Sequence, residues 1–140
     1  MTTDSYRSTL PAIDATYWEG ADSGELRIQQ CDSCSMWRFP PSATCPRCLS
    51  GDYTWQVSAG RGVLWSWIRM HQRYFAAFAD RIPYNVAIIN LDEGPRMISA
   101  IVTDDAQDLR CGSRVEVVFN RKDGEFTLPE FRIVGPGTLP

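Results

Sequence analysis

Four of the five cysteines stand in two Cys-x-x-Cys pairs, Cys31 with Cys34 and Cys45 with Cys48, and ten residues separate Cys34 from Cys45. A Cys-x-x-Cys turn presents two sulfurs one ligand edge apart while nearby backbone amides support the thiolates. Two such turns supply the tetrahedral set that a soft divalent ion takes. One structural zinc ion is therefore expected at Cys31, Cys34, Cys45 and Cys48. Iron, which accepts four thiolates in rubredoxin-type sites, is the competing metal. A shell filled by protein leaves no coordination position for water, so the expected role is structural and not catalytic. Phe39-Pro40-Pro41 and Cys45-Pro46 fix the backbone around the ligands.

The rest of the chain offers little for catalysis. His71 is the only histidine, so any imidazole acid or base must be that residue, and a strand-end histidine at a surface or interface is the plainer reading. No Gly-x-Ser-x-Gly or Gly-x-Gly-x-x-Gly motif occurs, and Gly60-Arg61-Gly62 is too short for either. Cys111 has no histidine beside it and reads as a buried small hydrophobe.

These residues need a scaffold. The chain has 140 residues, 44% hydrophobic and 22% charged, values of a globular domain. A metal loop of this size buries no core of its own, so the ion must stabilise it. From Pro11, Ile13, Tyr17 and Trp18 follow helical spacing, with Gly20 as the expected stop and the aromatic pair on the core side. Leu26 and Ile28 alternate with polar residues as a short strand into Cys31. Further strands are expected at 53–57, at 61–71, where neither parity is plainly polar, and at 84–91, 96–102, 114–120 and 128–134. Residues 72–83, with Tyr74, Phe75 and Phe78, read as a cover or lid. Asp92-Glu93-Gly94-Pro95 and Asp123-Gly124 read as hairpin turns.

The expected architecture is mainly β: an N-terminal tail and helix (1–24), a rubredoxin-like zinc ribbon (25–52), a five-stranded OB-fold barrel (53–134) and a C-terminal tail (135–140). No apolar run reaches membrane-spanning length and the N-terminus is polar and acidic, so a cytoplasmic, membrane-free protein is expected.

Tyr17-Trp18, the two cysteine pairs, Pro40-Pro41, Gly60-Arg61-Gly62, Pro83-Tyr84, Glu93-Gly94, residues 111–115 and Leu128-Pro129-x-Phe131 together resemble the acyl-CoA-associated OB-fold proteins, a former domain-of-unknown-function family with a zinc ribbon. The resemblance covers residues 12–134. Ser35 departs from it mildly, standing where many ribbons have glycine after the second cysteine. The resemblance implies a non-catalytic accessory subunit in a hetero-oligomer with a thiolase, thiolase-like aldolase or acyltransferase, stabilising that partner and helping to form its acyl-CoA site.

Coenzyme A has an adenine that stacks, phosphates that suit Arg and a pantetheine arm that suits apolar walls. Acyl-CoA or partner contact is therefore expected at Arg61, Trp65, Trp67, Arg69, His71, Arg73 and Tyr84, and at Trp37 and Phe39 on a loop too small to bury them. Alternatively, Trp65 and Trp67 fill the barrel and the arginines are solvated strand-edge charges. Stacking aromatics on an OB fold also suit single-stranded nucleic acid. The net charge of −3 speaks against that partner.

Overall fold

A computed structural model describes residues 12–72, 83–103, 109–122 and 126–136. Arg73 and the aromatics of the expected lid, Tyr74, Phe75 and Phe78, lie outside the described residues, as does the expected turn at Asp123-Gly124. A 3-10 turn at Ala12–Asp14 leads into helix α1, Ala15–Asp22. The helix runs through Gly20, the expected stop, and the chain reverses instead after Ser23, at Gly24 with φ of 77°. Gly20 serves a close approach: a Cβ there would stand 2.7 Å from the Arg27 side chain. Among the described residues no helix is long and apolar enough to cross a membrane.

The ribbon sheet comprises β1 (Arg27–Cys31), β2 (Trp37–Arg38) and β3 (Tyr53–Val57), in the antiparallel order β2-β1-β3. The strand at 53–57 thus differs from its expected place at the head of the barrel. It pairs along β1 from Arg27–Val57 to Cys31–Tyr53. The cause is local: the bond from Asp32 N to Asp52 O, 3.0 Å, zips the two chain ends leaving the cysteine loop.

The barrel contains β4 (Arg61–Met70), β5 (Tyr84–Leu91), β6 (Arg96–Ser99), β7 (Arg114–Lys122) and β8 (Phe126–Gly135), ordered β6-β5-β4-β7-β8. A parallel bridge between Ile101 and Phe131 joins the two outer strands, with Val102 N donating to Phe131 O at 2.8 Å. This is the expected five-stranded OB-like architecture. β6 ends earlier than expected because the Asn85 side chain takes over the ladder: its Nδ2 donates to Ile101 O and its Oδ1 accepts from Ile101 N, at 2.8 and 2.7 Å.

Strand β4 explains why its two parities looked alike. Leu64 pairs with Ile89 and Ser66 with Ile88, so Trp65 is an extra residue and the ladder slips. A bulge reverses which side chains face inward. Leu64 is buried before it, and after it Trp67, opposite buried Ala87, packs against the core.

One hydrophobic core serves both sheets. Tyr17 of α1 and Leu26 and Ile28 of the ribbon join Leu64, Ala87, Ile89, Met97, Val115 and Phe131 of the barrel. Phe131, fully buried, is the largest of the deeply buried side chains.

Candidate metal centre and partner face

Each cysteine knuckle is built in the same way. In the first, Ser35 N donates to Cys31 O at 2.9 Å and Cys31 N to Met36 O at 2.8 Å. In the second, Leu49 N donates to Cys45 O and Cys45 N to Ser50 O, both at 2.9 Å. The residue after the second cysteine of each pair is left-handed, Ser35 at φ 65° and Leu49 at φ 66°. Glycine would take that conformation without strain. Ser33 Oγ donates to Ser50 Oγ at 3.0 Å, joining the knuckles.

All four sulfurs lie within 4.8 Å of one another; Cys31 and Cys45 are buried, Cys34 half-buried and Cys48 exposed. The Met36 amide, aided by the Arg47 side chain and the thiols of Cys48 and Cys31, holds the Cys34 thiol down at about 6. The amides of Cys48 and Arg47 lower Cys45. At Cys48 the Ser50 amide favours the thiolate, but its sulfur neighbours, Cys31 foremost, and desolvation push it up to about 12. Four thiolates this close repel one another unless a cation stands among them, and a divalent metal supplies that charge. The donor set therefore fits one structural metal ion, with no position left for water or substrate.

Arg38, next to the ribbon's aromatics, is buried. It donates from Nε to Gln29 Oε1 at 3.1 Å and from Nη2 to Ser42 O at 2.8 Å, with its guanidinium 5.0 Å from the Tyr53 ring centroid. Trp37 and Phe39 are half-buried rather than standing out from the loop. Both pack against the core, and for Phe39 the Tyr17 ring of α1, 5.5 Å away, supplies the cover that the loop lacks. They still line one wall of a cleft of about 610 Å³. Arg47 and Pro46 continue that wall, and Glu93, Gly94, Pro95 and Arg96 of the β5–β6 turn form the other.

Of the expected mixed face, Arg73 lies outside the described residues, and Trp65 and Trp67 do not share one surface. The bulge sends Trp65 outward and Trp67 toward the core. Arg61, Arg69 and His71 are exposed, and Tyr84 is half-buried. Trp65 instead belongs to an outer apolar row. It stands beside Ser66 opposite Ile88, Ile88 pairs with Ile98, and Ile68 pairs with Val86 one step along. Trp65, Ile68 and Ile98 are 44%, 55% and 69% exposed. Arg96, held by Asn90 Oδ1 at 3.0 Å, lies 4.7 Å over the Trp65 ring.

Ile68, Ile98 and Arg96 were not singled out from sequence. The alternation of Met97 with Ile98 was the available signal, but which parity faces outward depends on pairing. Cys111 is exposed, contrary to expectation. It sits in the tight turn where Ser113 Oγ donates to Arg110 O at 2.7 Å, and the buried positions go to Leu109 and Val115 on either side.

A further polar contact ties the ribbon to the barrel. Glu93 accepts from Ser58 Oγ at 2.8 Å and from Ala59 N at 2.9 Å, and Ser58 Oγ accepts from Gly60 N at 3.0 Å. The crossing between the sheets is thus gripped by the β5–β6 turn.

Two family models match successive parts of the chain: the rubredoxin-like zinc ribbon domain of ChsH2 over residues 18–54 and the C-terminal OB-fold domain of ChsH2 over residues 55–120. A "probable enoyl-CoA hydratase alpha subunit" of Thermomonospora curvata is 36% identical over 90% of this chain, which spans 40% of that relative's length. A "DUF35 domain-containing scaffold protein" of Methanocaldococcus jannaschii is 31% identical over 69% of this chain and 70% of its own. A solved structure titled "Ltp2-ChsH2(DUF35) aldolase" superposes with a TM-score of 0.79 at 34% identity, covering 89% of this chain and 97% of that one.

Proposed function

Because the chain belongs to the DUF35 family of ribbon and OB-fold proteins, we propose that it is a non-catalytic accessory subunit of an acyl-CoA-processing enzyme of the thiolase superfamily. The partner is a thiolase, a thiolase-like aldolase or an acyltransferase, and acyl-CoA sits at or near the interface. The ribbon ion is zinc, held as a structural clamp. Supporting this reading, one relative is named as a subunit of an enzyme of enoyl-CoA chemistry and one structural neighbour carries an aldolase title.

The observation that carries the reading is the outer row of Trp65, Ile68 and Ile98, exposed on neighbouring strands of the barrel's outer face. Aromatic and aliphatic side chains exposed together, capped by an arginine, are the makings of a protein interface. The cleft beside it brings Trp37 and Phe39 to Arg47 and Arg96. Such a lining suits the phosphates and pantetheine of coenzyme A. His71 is exposed just past the end of β4, and Cys111 stands in a turn elsewhere.

Pairwise co-expression with thiolase-superfamily and hydratase subunits from the same genome, followed by size-exclusion chromatography, tests the proposal. Co-elution with a thiolase-superfamily subunit, lost in Trp65→Glu/Ile98→Glu, is expected. Elution alone in every pairing would overturn it.

A further inference from the structure

The ribbon carries two arginines that pair with no carboxylate among the described residues. Arg38 is only 4% exposed, and its Nη1 has no hydrogen-bond partner. A guanidinium keeps its charge at any ordinary pH, and a charge removed from water needs an opposite one nearby. Arg38 packs over Tyr53, which stands opposite the metal ligand Cys31 in the β1–β3 ladder.

Arg47 lies between the two cysteines of the second knuckle and reaches across to the first, donating Nη2 to the Cys34 carbonyl at 2.5 Å. That bond holds its guanidinium against the Cys34 end of the cluster. A divalent ion surrounded by four thiolates leaves a net dianion, and outer groups that answer such a charge set how firmly the ligands are held.

Resting on the reading of this cluster as a metal centre, we infer that Arg47 and Arg38 are the counter-cations of a metal–thiolate dianion. Arg47 acts by contact and also ties one knuckle to the other; Arg38 acts from inside the ribbon. Both are positioning residues. The centre and its two arginines then sum to no net charge, which offsets the burial of a guanidinium that has no acidic side chain beside it.

The test is metal affinity, measured on the purified full chain by competition for zinc with a chromophoric chelator, with the cobalt(II)–thiolate absorption as a second readout. Arg47→Ala should weaken zinc binding about tenfold and, in the zinc-loaded chain, speed alkylation of Cys34 by iodoacetamide. Arg47→Lys, which keeps the charge, should recover most of that loss. The Ala deficit should shrink at high salt, because Arg47 is exposed and its field is screened. Arg47→Ala binding within about twofold of the parent, or Arg47→Lys as weak as Ala, would overturn the charge role of Arg47. Arg38→Met, checked for folding by circular dichroism, should also bind zinc more weakly; unchanged affinity in the folded variant would overturn its part. Failure of the parent chain itself to bind zinc or cobalt would instead sink the metal centre, and the inference with it.

Discussion

In the ribbon, Cys31 reaches Cys48 across 17 residues, with sulfurs 3.5 Å apart, and the bonds that shape each knuckle span only a few positions. In the barrel, Phe131 bridges to Ile101 and packs in one core with Leu64 and Val115. The first region depends on charge and an ion, the second on apolar area removed from water. They respond to different insults: chelators, acid and oxidation act on the ribbon, and loss of packing volume acts on the barrel. Yet they are not independent, because Tyr17, Leu26 and Ile28 belong to the barrel's core and Glu93 grips the crossing.

The largest effect should come from Cys45→Ser. Cys45 is fully buried, and a lost ligand removes the closed shell. Stoichiometric metal, read by elemental analysis, should vanish, and residues 32–52 should become the first site of proteolysis. A single broadened thermal transition would show that the shared core carries the damage into the barrel. Two separate transitions would show that the core joins them weakly.

Phe131→Ala strikes the other region and should cost about 3–5 kcal/mol, the range for a buried aromatic truncated to a cavity. Chemical denaturation measures it, and metal content per folded chain should remain at one. Loss of metal from the folded variant would show that the ribbon leans on the barrel more than the converse.

Glu93→Ala addresses the joint. Ser58 Oγ and the Ala59 amide would lose their acceptor, a change of about 1–3 kcal/mol. The effect should appear as faster amide exchange at residues 58–60 before any change in either sheet.

The smallest effect belongs to the bidentate pair of Arg114 with Asp92, 2.9 and 2.7 Å. The Arg114 hydrogen bonds hold the Asp92 carboxyl below its usual range. Its stabilisation is therefore present above the unfolded carboxylate pKa and fades as the pH falls through the lower folded value. Both side chains are partly exposed, so Asp92→Asn should cost only about 0.5 kcal/mol at neutral pH. It should cost nothing in acid, which unfolding at two pH values would check.

How much of this was legible in the chain follows from the same division. The metal ligands depend on two short spacings, and the knuckles formed as the spacing implies. Strand positions in the barrel were also legible, since alternation is local. Allegiance was not: whether 53–57 belongs to the ribbon or the barrel is decided by its pairing with β1. The bulge at Trp65 adds one residue to one strand, and only the partner strand reveals it. Phe39 read as exposed because the Tyr17 ring that covers it comes from elsewhere in the chain, and Trp37 because the core it packs against does. Cys111 read as buried because residue type alone does not place a side chain within a turn.

The most direct measurement of the central claim is acyl-CoA turnover across sedimentation fractions of the metal-loaded chain, alone and mixed with each candidate thiolase-superfamily subunit, using acetyl-CoA and acetoacetyl-CoA as probes. Turnover should be absent from the chain alone and present only in the faster-sedimenting complex. Turnover by the chain alone would contradict it.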